Sequence, residues 1–281
     1  MTKNNLNWTE VNKLLDLAFE EDIGTGDVTT ESIFPDDAVC EAVIKSKEDG
    51  ILAGLPIAKT VFEKLGTLHD WNEVKKDGEF ITNGDILVRM SGSPKQILSG
   101  ERLALNILQR LSGIATLTSK YIKKVEGLDV KIADTRKTVP GFRTLSKYAV
   151  EIGGGHNHRM GLYDGVLIKD NHIKQAGGII NAVDGIKKNT GGKFKIEVET
   201  SNIKQVNNAL NAGADIIMLD NMSDEMMREA VEIIGNKALI EASGGINLER
   251  VRQIAEIGVD IISIGALTHS ATALDLSLDM I

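Results

Sequence analysis

Hydrophobic and polar residues alternate in two different ways along the chain. In the first part, residues 9–22 carry apolar side chains at the spacing of one helix face, with Thr9 as the expected N-cap. Residues 39–92 show short alternating runs between glycine-rich turns, interrupted by a helix at 56–65, and a long helix follows from about Pro94 to Glu126. These patterns predict a small α+β domain.

From about residue 130 the pattern changes to short apolar, β-branched runs that alternate with helical stretches. Six such runs begin near residues 130, 166, 195, 215, 238 and 260, and helices are predicted at 202–212, 223–235 and 247–257. This alternation is typical of a parallel sheet with crossover helices. The last four runs start about 20 residues apart, as in (β/α) barrels, but a complete barrel needs eight strands. We therefore predict an α/β fold with an open, incomplete parallel barrel, and keep a doubly wound sheet as the alternative.

The predicted domains are an N-terminal α+β domain at 1–115 and the open α/β barrel at 116–281. The first domain includes the start of the long linking helix, and a return of the last residues to this domain is left open.

Side chains at the carboxyl ends of barrel strands converge on one face, and that face carries the chemistry of barrel enzymes. Each predicted strand ends in a charged, hydroxylic or glycine-containing cluster: Asp134-Thr135-Arg136-Lys137, Lys169-Asp170-Asn171, Glu197 with Glu199, Asp220-Asn221, Ser243-Gly244-Gly245, and Ser263-Ile264-Gly265. Six such endings in succession indicate a functional site on this face.

The distribution of charge indicates a small anionic substrate. The chain has a formal net charge of −8, which disfavours binding to nucleic acid or to anionic membranes. Residues 131–174 nevertheless contain eight basic and four acidic side chains, and Arg136, Arg159 and Lys169 are among the basic ones. A positive pocket in an acidic protein suits a polyanion, although a solvated basic surface would give the same count.

The composition does not favour a disulfide, a protein-held metal or a membrane span. Cys40, the single cysteine, lies in a predicted strand and is expected to be a core residue, which fits a reducing, cytoplasmic location. His156 and His158 are two residues apart, unlike the helical histidine pair of zinc proteases, so a zinc site is not predicted. No stretch reaches the roughly 20 apolar residues of a membrane span.

Two further patterns fit a phosphorylated sugar. Loops after the last strands of a barrel can bind phosphate through backbone N–H groups, and Ser243–Gly245 and Gly265 occupy these positions, although glycine there can also simply form a turn. Glu197 and Glu199 share one strand face and, with Asp220 on the next strand, form a candidate acidic patch for ribose hydroxyls, a Mg²⁺-bound ligand or a developing cation. Ion pairing with nearby lysines is the structural alternative.

At these residues the sequence resembles the quinolinate phosphoribosyltransferase family nearly from end to end. The matching motifs are, in chain order, Glu21–Asp27, Glu101–Asn106, Asp134–Gly141, Gly153–Arg159, Leu167–His172, Glu197–Glu199, Met218–Asn221, Glu241–Gly245 and Gly265–His269. The motifs are long and all occur in order, so the resemblance is specific.

The resemblance implies a decarboxylating pentosyltransferase of NAD biosynthesis. Such an enzyme joins quinolinate to phosphoribosyl pyrophosphate and releases nicotinate mononucleotide, CO₂ and pyrophosphate, with Mg²⁺ bound to the pyrophosphate substrate rather than by protein side chains alone. The resemblance also implies a sandwich-like N-terminal domain and a homodimer, or a higher oligomer, in which Arg102 reaches the active site of the partner subunit.

The site residues follow from the same motifs. The implied catalytic residues are Lys137, Lys169, Glu199 and Asp220. The implied substrate-binding residues are Arg102, Thr135, Arg136, Lys137, His158, Arg159, Lys169, Glu199, Asp220, Ser243, Gly244, Gly245, Ser263, Ile264 and Gly265.

A fold does not fix its substrate, so other functions stay open. A related pyridine or small-acid phosphoribosyltransferase would keep the phosphate site and change the cationic pocket. A barrel enzyme that isomerises or cleaves a sugar phosphate would not release pyrophosphate, and a non-catalytic protein would bind quinolinate without turnover.

Overall fold

The computed structural model describes residues 6–66 and 68–281. The helices are α1 (Trp8–Asp22), α2 (Val28–Ile33), α3 (Leu55–Leu65), α4 (Pro94–Lys124), α5 (Arg143–Ile152), α6 (Asp170–Ala176), α7 (Ile179–Thr190), α8 (Ile203–Ala212), α9 (Asp224–Ile234), α10 (Val251–Glu256) and α11 (Ala266–His269). The strands are β1 (Cys40–Ser46), β2 (Gly50–Ile51), β3 (Asp70–Glu73), β4 (Phe80–Ile81), β5 (Ile86–Gly92), β6 (Lys131–Ala133), β7 (Val166–Ile168), β8 (Ile196–Thr200), β9 (Ile216–Asp220), β10 (Leu239–Ser243), β11 (Ile261–Ser263) and β12 (Leu276–Met280).

The chain forms two compact units, each assembled from separate stretches of sequence. The first unit contains Met1–Ser119, Thr138–Gly154 and Leu267–Ile281, and the second contains Lys120–Lys137 and Gly155–Ala266. In the described residues no helix has both the length and the apolar character that a membrane crossing requires.

The first unit is built around a four-stranded antiparallel sheet with the order β12-β1-β5-β3. In this sheet Ile44 of β1 lies opposite Val88 of β5 on one side and Leu278 of β12 on the other, and all three side chains are buried. A two-stranded ladder of β2 and β4 belongs to the same unit. The alternating runs in the first part of the sequence are therefore the strands of this sheet, as predicted.

Side-chain oxygens cap the helices of the first unit. The N-cap of α1 is Asn7, whose Oδ1 accepts the N–H of Glu10 at 3.4 Å. The prediction of Thr9 as N-cap was wrong, because Asn7 provides the cap two residues earlier and Thr9 lies in the first turn. At the start of α3, the Asp77 carboxylate accepts the N–H groups of Gly54 and Leu55 at 2.8 and 3.0 Å, which satisfies two donors that the helix leaves free.

The second unit is a six-stranded parallel sheet with the order β7-β8-β9-β10-β11-β6. Strands β7 to β11 lie side by side in chain order, and β6 joins at β11. A doubly wound sheet would instead reverse its direction part of the way along the chain, so that alternative was wrong. Among the described strands, β6 and β7 are the two edges and do not pair with each other, so the barrel is open, as predicted.

The six predicted strands and the three predicted helices of this unit are confirmed. On β8 and β9 the residues Val198, Ile217 and Leu219 are buried and form part of the core. Helix α8, which packs against both strands, buries Val206 and begins at the N-cap Asn202. Since neighbours along a strand face opposite ways, the residues between these apolar positions, including Glu197 and Glu199, share the other face.

Candidate active site

The carboxyl ends of the parallel strands lie together at one edge of the second unit, which we call the carboxyl edge. The register of the ladders places Asp220 of β9 opposite Ser243 of β10. At the other end of the sheet, Ser263 of β11 lies opposite Ala133 of β6. Parallel strands in register end side by side, so the polar clusters predicted at the strand ends are neighbours along this edge.

Two acidic side chains are held at the ends of β8 and β9. The Nζ atom of Lys169 lies 2.8 Å from Oε2 of Glu199, and 47% of the Lys169 side chain remains exposed. Asp220 accepts a hydrogen bond from Nδ2 of Asn221 at 2.8 Å. Lys169 and Glu199 thus form the ion pair that the sequence left as an alternative, and this pair leaves the lysine accessible at the surface.

Two guanidinium groups occupy a partly buried position in the same unit. Nη1 of Arg159 donates to the carbonyl of Gly165 at 3.1 Å. Burial, and then the positive charge of Arg136, lower the pKa of Arg159. Among the described residues, Nε of Arg136 is buried without a hydrogen-bond partner. Two like charges close together, one with an unused donor, form a site that a carboxylate dianion would stabilise.

His158 is enclosed by acidic residues inside the second unit. Its Nε2 lies 3.1 Å from Oε2 of Glu197 and 3.6 Å from Oε2 of Glu241, and we call these three residues the His158 cluster. Its backbone N–H donates to Oδ1 of Asp134 at 2.9 Å, and its Nδ1 accepts the backbone N–H of Arg159 at 2.8 Å. Burial alone lowers the pKa of His158, but the two glutamates outweigh it and raise this pKa to about 10.

Both ring nitrogens of His158 are therefore used within the protein. The resemblance implied that this ring binds quinolinate; within the protein it contacts carboxylates and backbone. Arg159, the next residue, shares the backbone of this segment.

A cavity of about 540 Å³ opens at the opposite edge of the sheet, where the strands begin. Its wall includes the first residues of four strands, Lys131, Val166, Ile216 and Ile261. The cavity extends to all three members of the His158 cluster. Water can therefore approach the cluster from the amino ends of the strands.

The turn after β10 has a backbone conformation that favours glycine, and it lies close to the neighbouring loop. Gly244 and Gly245 have φ angles of +91° and +62°, and Asn221 on the neighbouring loop has a φ of 54°. A Cβ atom on Gly244 would lie 2.3 Å from Oδ1 of Asn221, so another residue there would have to adopt a strained φ and displace the Asn221 side chain. The backbone N–H of Asn221 donates to the carbonyl of Ser243 at 3.0 Å, which ties the two loops together.

The ends of β6 and β11 supply side chains in different environments. Oγ1 of Thr135 accepts the N–H of Lys137 at 3.0 Å, and Lys137 is exposed. Ser263 is buried, and its Oγ has no hydrogen-bond partner within residues 6–66 and 68–281. The N–H of Ile264 donates to the carbonyl of Ala133 at 2.9 Å, so this N–H is occupied by the sheet rather than open to a ligand.

Arg102 is the one predicted site residue that belongs to the first unit. It lies on α4 with 61% of its side chain exposed, and Nη2 is 4.0 Å from the carboxylate of Glu101. Gly265 lies in the second unit between β11 and α11.

Glu241 and Asp134 were not assigned a role from the sequence. Glu241 is 1% exposed and Asp134 is fully buried. Glu241 interrupts the apolar run of β10 at its third position, and Asp134 directly follows the buried end of β6. A charged residue inside a strand of otherwise apolar residues is the pattern that could have identified them, because such a residue needs a buried partner.

An open parallel barrel with paired guanidinium groups, strand-end carboxylates and a glycine turn defines an enzyme that acts on a small anionic, phosphorylated substrate. The chain matches "Quinolinate phosphoribosyl transferase, N-terminal domain" over residues 27–112 and "Quinolinate phosphoribosyl transferase, C-terminal domain" over residues 114–279. These two matches show that the chain belongs to the quinolinate phosphoribosyltransferase family.

Similar proteins span the whole chain. It is 45% identical over 275 residues to the probable nicotinate-nucleotide pyrophosphorylase [carboxylating] of Bacillus subtilis, covering 98% of this chain and 95% of that protein. The corresponding protein of Methanocaldococcus jannaschii is 44% identical over 278 residues, with 96% of each chain covered. The crystal structure of NadC from Streptococcus pyogenes superposes with a TM-score of 0.94 at 36% identity and covers 100% of both chains.

Proposed function

We propose that this protein transfers the phosphoribosyl group of phosphoribosyl pyrophosphate to quinolinate and decarboxylates the adduct to nicotinate mononucleotide. The observations that carry the proposal are the family match, the Lys169–Glu199 ion pair and the register that sets Asp220 opposite Ser243. The names of the relatives suggest the reaction, and the cationic and carboxylate side chains described above suit its two substrates.

Quinolinate is a dianion with adjacent carboxylates, and the cationic groups suit it. Nε of Arg136 is buried without a hydrogen-bond partner in the part of the chain that the structure describes, and its charge lies close to that of Arg159. A dianion bound between these side chains would relieve their repulsion and accept bidentate hydrogen bonds. Lys169 would add a third positive charge after exchanging its pairing with Glu199 for a substrate carboxylate. Lys137 would serve both substrates from the end of β6.

The phosphoribosyl half suits the ends of β9 and β10. Glu199 and Asp220 would face the ribose, where positive charge develops as the bond to pyrophosphate stretches, and their carboxylates would stabilise that charge. The turn Ser243–Gly245, with Gly265, would bind the 5-phosphate through backbone N–H groups, because its positive φ angles turn the backbone without a side chain in the way.

The reaction then needs positioning more than a strong base. The ring nitrogen of quinolinate attacks C1′ of the ribose, the C1′–O bond breaks, and pyrophosphate leaves with its electron pair. The carboxylate next to the new pyridinium nitrogen leaves as CO₂, and its electron pair stays on the ring carbon, where the adjacent positive charge stabilises it. That carbon then takes up a proton. Holding the two substrates in line would supply most of the rate.

Three further parts of the proposal concern the setting of the reaction. Mg²⁺ would arrive with the pyrophosphate substrate, since Glu199 and Asp220 offer oxygen ligands of the kind that it binds, and this ion neutralises charge on the leaving pyrophosphate. The protein would act as a homodimer, with the exposed Arg102 reaching the partner's site. The single cysteine, which leaves no partner for an internal disulfide, supports a reducing, cytoplasmic location.

The test is incubation of the purified protein with quinolinate, phosphoribosyl pyrophosphate and Mg²⁺, with product and CO₂ followed by mass spectrometry and nicotinate as a parallel substrate. We expect nicotinate mononucleotide and CO₂ from quinolinate alone. Turnover of nicotinate but not quinolinate would assign the barrel to a related transferase, and an inactive, folded protein would refute the proposal.

A further inference from the structure

The cavity at the amino ends of the parallel strands, which we call the amino-end cavity, is lined by the side chains nearest the strand starts. Lys131 and Ala133 lie two residues apart on β6, and Lys195 lies two residues before Glu197 at the start of β8. All four residues line the cavity. Since residues two apart share a strand face, both lysines lie on the faces that point into the barrel.

Lysine is an unusual residue in this layer. The inward layers of a parallel barrel are normally filled by branched apolar side chains, which close the interior to water. Lysine cannot complete such a layer, because its ammonium group stays in water. Lys131 and Lys195 are both exposed, and the layer leaves an open cavity of about 540 Å³. This volume falls within the roughly 300–1,000 Å³ of small-molecule binding sites.

Three ammonium groups surround the opening of the amino-end cavity. Lys193 also lines it, and its Nζ lies 5.3 Å from the centre of the Phe194 ring. Within residues 6–66 and 68–281, none of Lys131, Lys193 and Lys195 forms an ion pair. Three cations without an acidic partner around one opening attract an anion.

The walls next to the lysines are apolar. Val166, Ile216 and Ile261 line the cavity and are half-buried, so each keeps part of its apolar surface uncovered. Phe194, which is also half-buried, adds an aromatic ring. Such walls favour an apolar, planar group, because contact with it removes their remaining apolar surface from water.

The inner end of the cavity is acidic. Glu197 and Glu241 line it and are 4% and 1% exposed, and both contact His158. The other ionisable residues of the wall are His156, Arg159 and Asp164. A negative charge placed deep in the cavity would meet the two glutamates, whereas one placed at the strand starts meets the lysines. The charges therefore orient an anionic ligand with its charged end outward.

We propose that the amino-end cavity is a binding site for a small organic anion with an apolar, planar body and its charge at one end. Lys131, Lys193 and Lys195 bind the carboxylate or phosphate of this ligand, and its body packs against Phe194 and the apolar walls. The site lies at the opposite edge of the sheet from the carboxyl edge, so it goes beyond the proposed reaction and does not depend on it. Phosphoribosyl pyrophosphate, which is charged at both ends, does not have the required form.

The first experiment measures the binding of 2-naphthoate to the full-length protein by calorimetric titration, with uncharged 2-naphthamide and inorganic phosphate as comparison compounds. We expect 2-naphthoate to bind at least about tenfold more tightly than either, because it alone uses both the lysines and the apolar walls. Equal affinities for 2-naphthoate and 2-naphthamide, or no binding of 2-naphthoate, would overturn the proposal.

Substitutions in the same titration test the lysines. The double variant Lys131→Met and Lys195→Met removes two charges at similar side-chain length and should weaken 2-naphthoate binding at least about tenfold. Lys131→Arg keeps the charge and should bind like the wild type. So should the control Lys237→Met, because Lys237 is an exposed lysine next to β10 that is not part of the cavity wall. Thermal unfolding checks that each variant is folded. Unchanged affinity in the folded double variant would contradict the site.

The second experiment locates the bound compound by NMR of isoleucine methyl groups labelled with ¹³C. Ile216 and Ile261 line the amino-end cavity, whereas Ile168 and Ile264 lie at the ends of β7 and β11 on the carboxyl edge. Addition of 2-naphthoate should shift the signals of the first pair and leave those of the second unchanged. Shifts of the second pair alone would place the anion at the carboxyl edge and overturn the proposal. Neither experiment requires turnover, so a protein that binds 2-naphthoate in this way but does not convert quinolinate would refute the proposed function alone.

Discussion

Replacement of Gly244 by alanine tests the assignment of the turn after β10 to the 5-phosphate. The new Cβ would lie 2.3 Å from Oδ1 of Asn221, and the backbone at Gly244 has a φ of +91°. Either the turn or Asn221 must move, and a displaced turn no longer directs its N–H groups at a bound phosphate. Gly192→Ala is a matched control, since Gly192 has a φ of +76° with nothing within 4 Å of a new Cβ.

The two variants separate backbone strain from steric displacement. Strain at a positive φ should lower the free energy of unfolding by about 1–3 kcal/mol in both. Only Gly244→Ala should also weaken binding, because a hydrogen bond to a charged group contributes about 1.5–3 kcal/mol. Loss of one such bond corresponds to a rise on the order of 10- to 100-fold in the Kd for phosphoribosyl pyrophosphate.

The assay is calorimetric titration with phosphoribosyl pyrophosphate and Mg²⁺, with thermal unfolding of each variant measured in parallel. We expect Gly192→Ala to be destabilised but to bind normally. If Gly244→Ala were folded and bound the substrate as tightly as this control, the phosphate would be bound elsewhere and the reasoning from the turn would be refuted. A second substitution, Asn221→Gly, should restore part of the binding, because it removes the atom that the new Cβ contacts.

Four further predictions follow from the described contacts. Arg136→Ala and Arg159→Ala should each raise the KM for quinolinate, because an unpaired buried carboxylate costs about 2–5 kcal/mol; steady-state constants equal to wild type would contradict the pocket. Mixing Arg102→Ala with Arg136→Ala subunits should restore activity through hybrid dimers with one intact site, and verified exchange without recovery would exclude a shared site. Asp77→Ala should lower the unfolding free energy by about 0.5–2 kcal/mol in urea titrations, because α3 loses its cap. Hydrogen bonds from Thr30 and Ser99 lower the pKa of Asp27. The Asp27 carboxylate should therefore stabilise the fold fully above the unfolded pKa of about 3.9, and this stabilisation should disappear as the pH falls through the lower folded pKa. Acid unfolding curves of Asp27→Asn should lack this pH dependence.

The strands of the barrel could be predicted because each one is marked by residues within it and next to it in the sequence. Each strand of the second unit is a short apolar run, and each is bounded by a polar or glycine cluster that marks its carboxyl end. The strand-end positions of Lys169, Glu199, Asp220 and Ser243 follow directly from those boundaries. The exact cap of α1 could not be predicted, because Asn7 and Thr9 are both good cap residues and the choice depends on one hydrogen bond.

The interior of the site could not be predicted in the same way. Glu197 and Glu199 are the same residue type and lie on the same face of β8, yet Glu197 contacts His158 and Glu199 contacts Lys169. Their different depths along the strand decide the partner, and the depth depends on how strands separated in sequence are staggered. Glu241 shows the same limit, since its partner is a histidine more than 80 residues away in the chain.

The position of β12 has a consequence for synthesis on the ribosome. β1 is the first strand to be synthesised, but one of its two edges pairs with β12. Ile44 therefore cannot pair with Leu278 until the end of the chain has been made. By contrast, β7 to β11 pair in the order in which they are translated. During elongation β1 therefore presents an unpaired apolar edge until the end of the chain has emerged, and a shortened chain that ends before Leu276 should aggregate rather than fold.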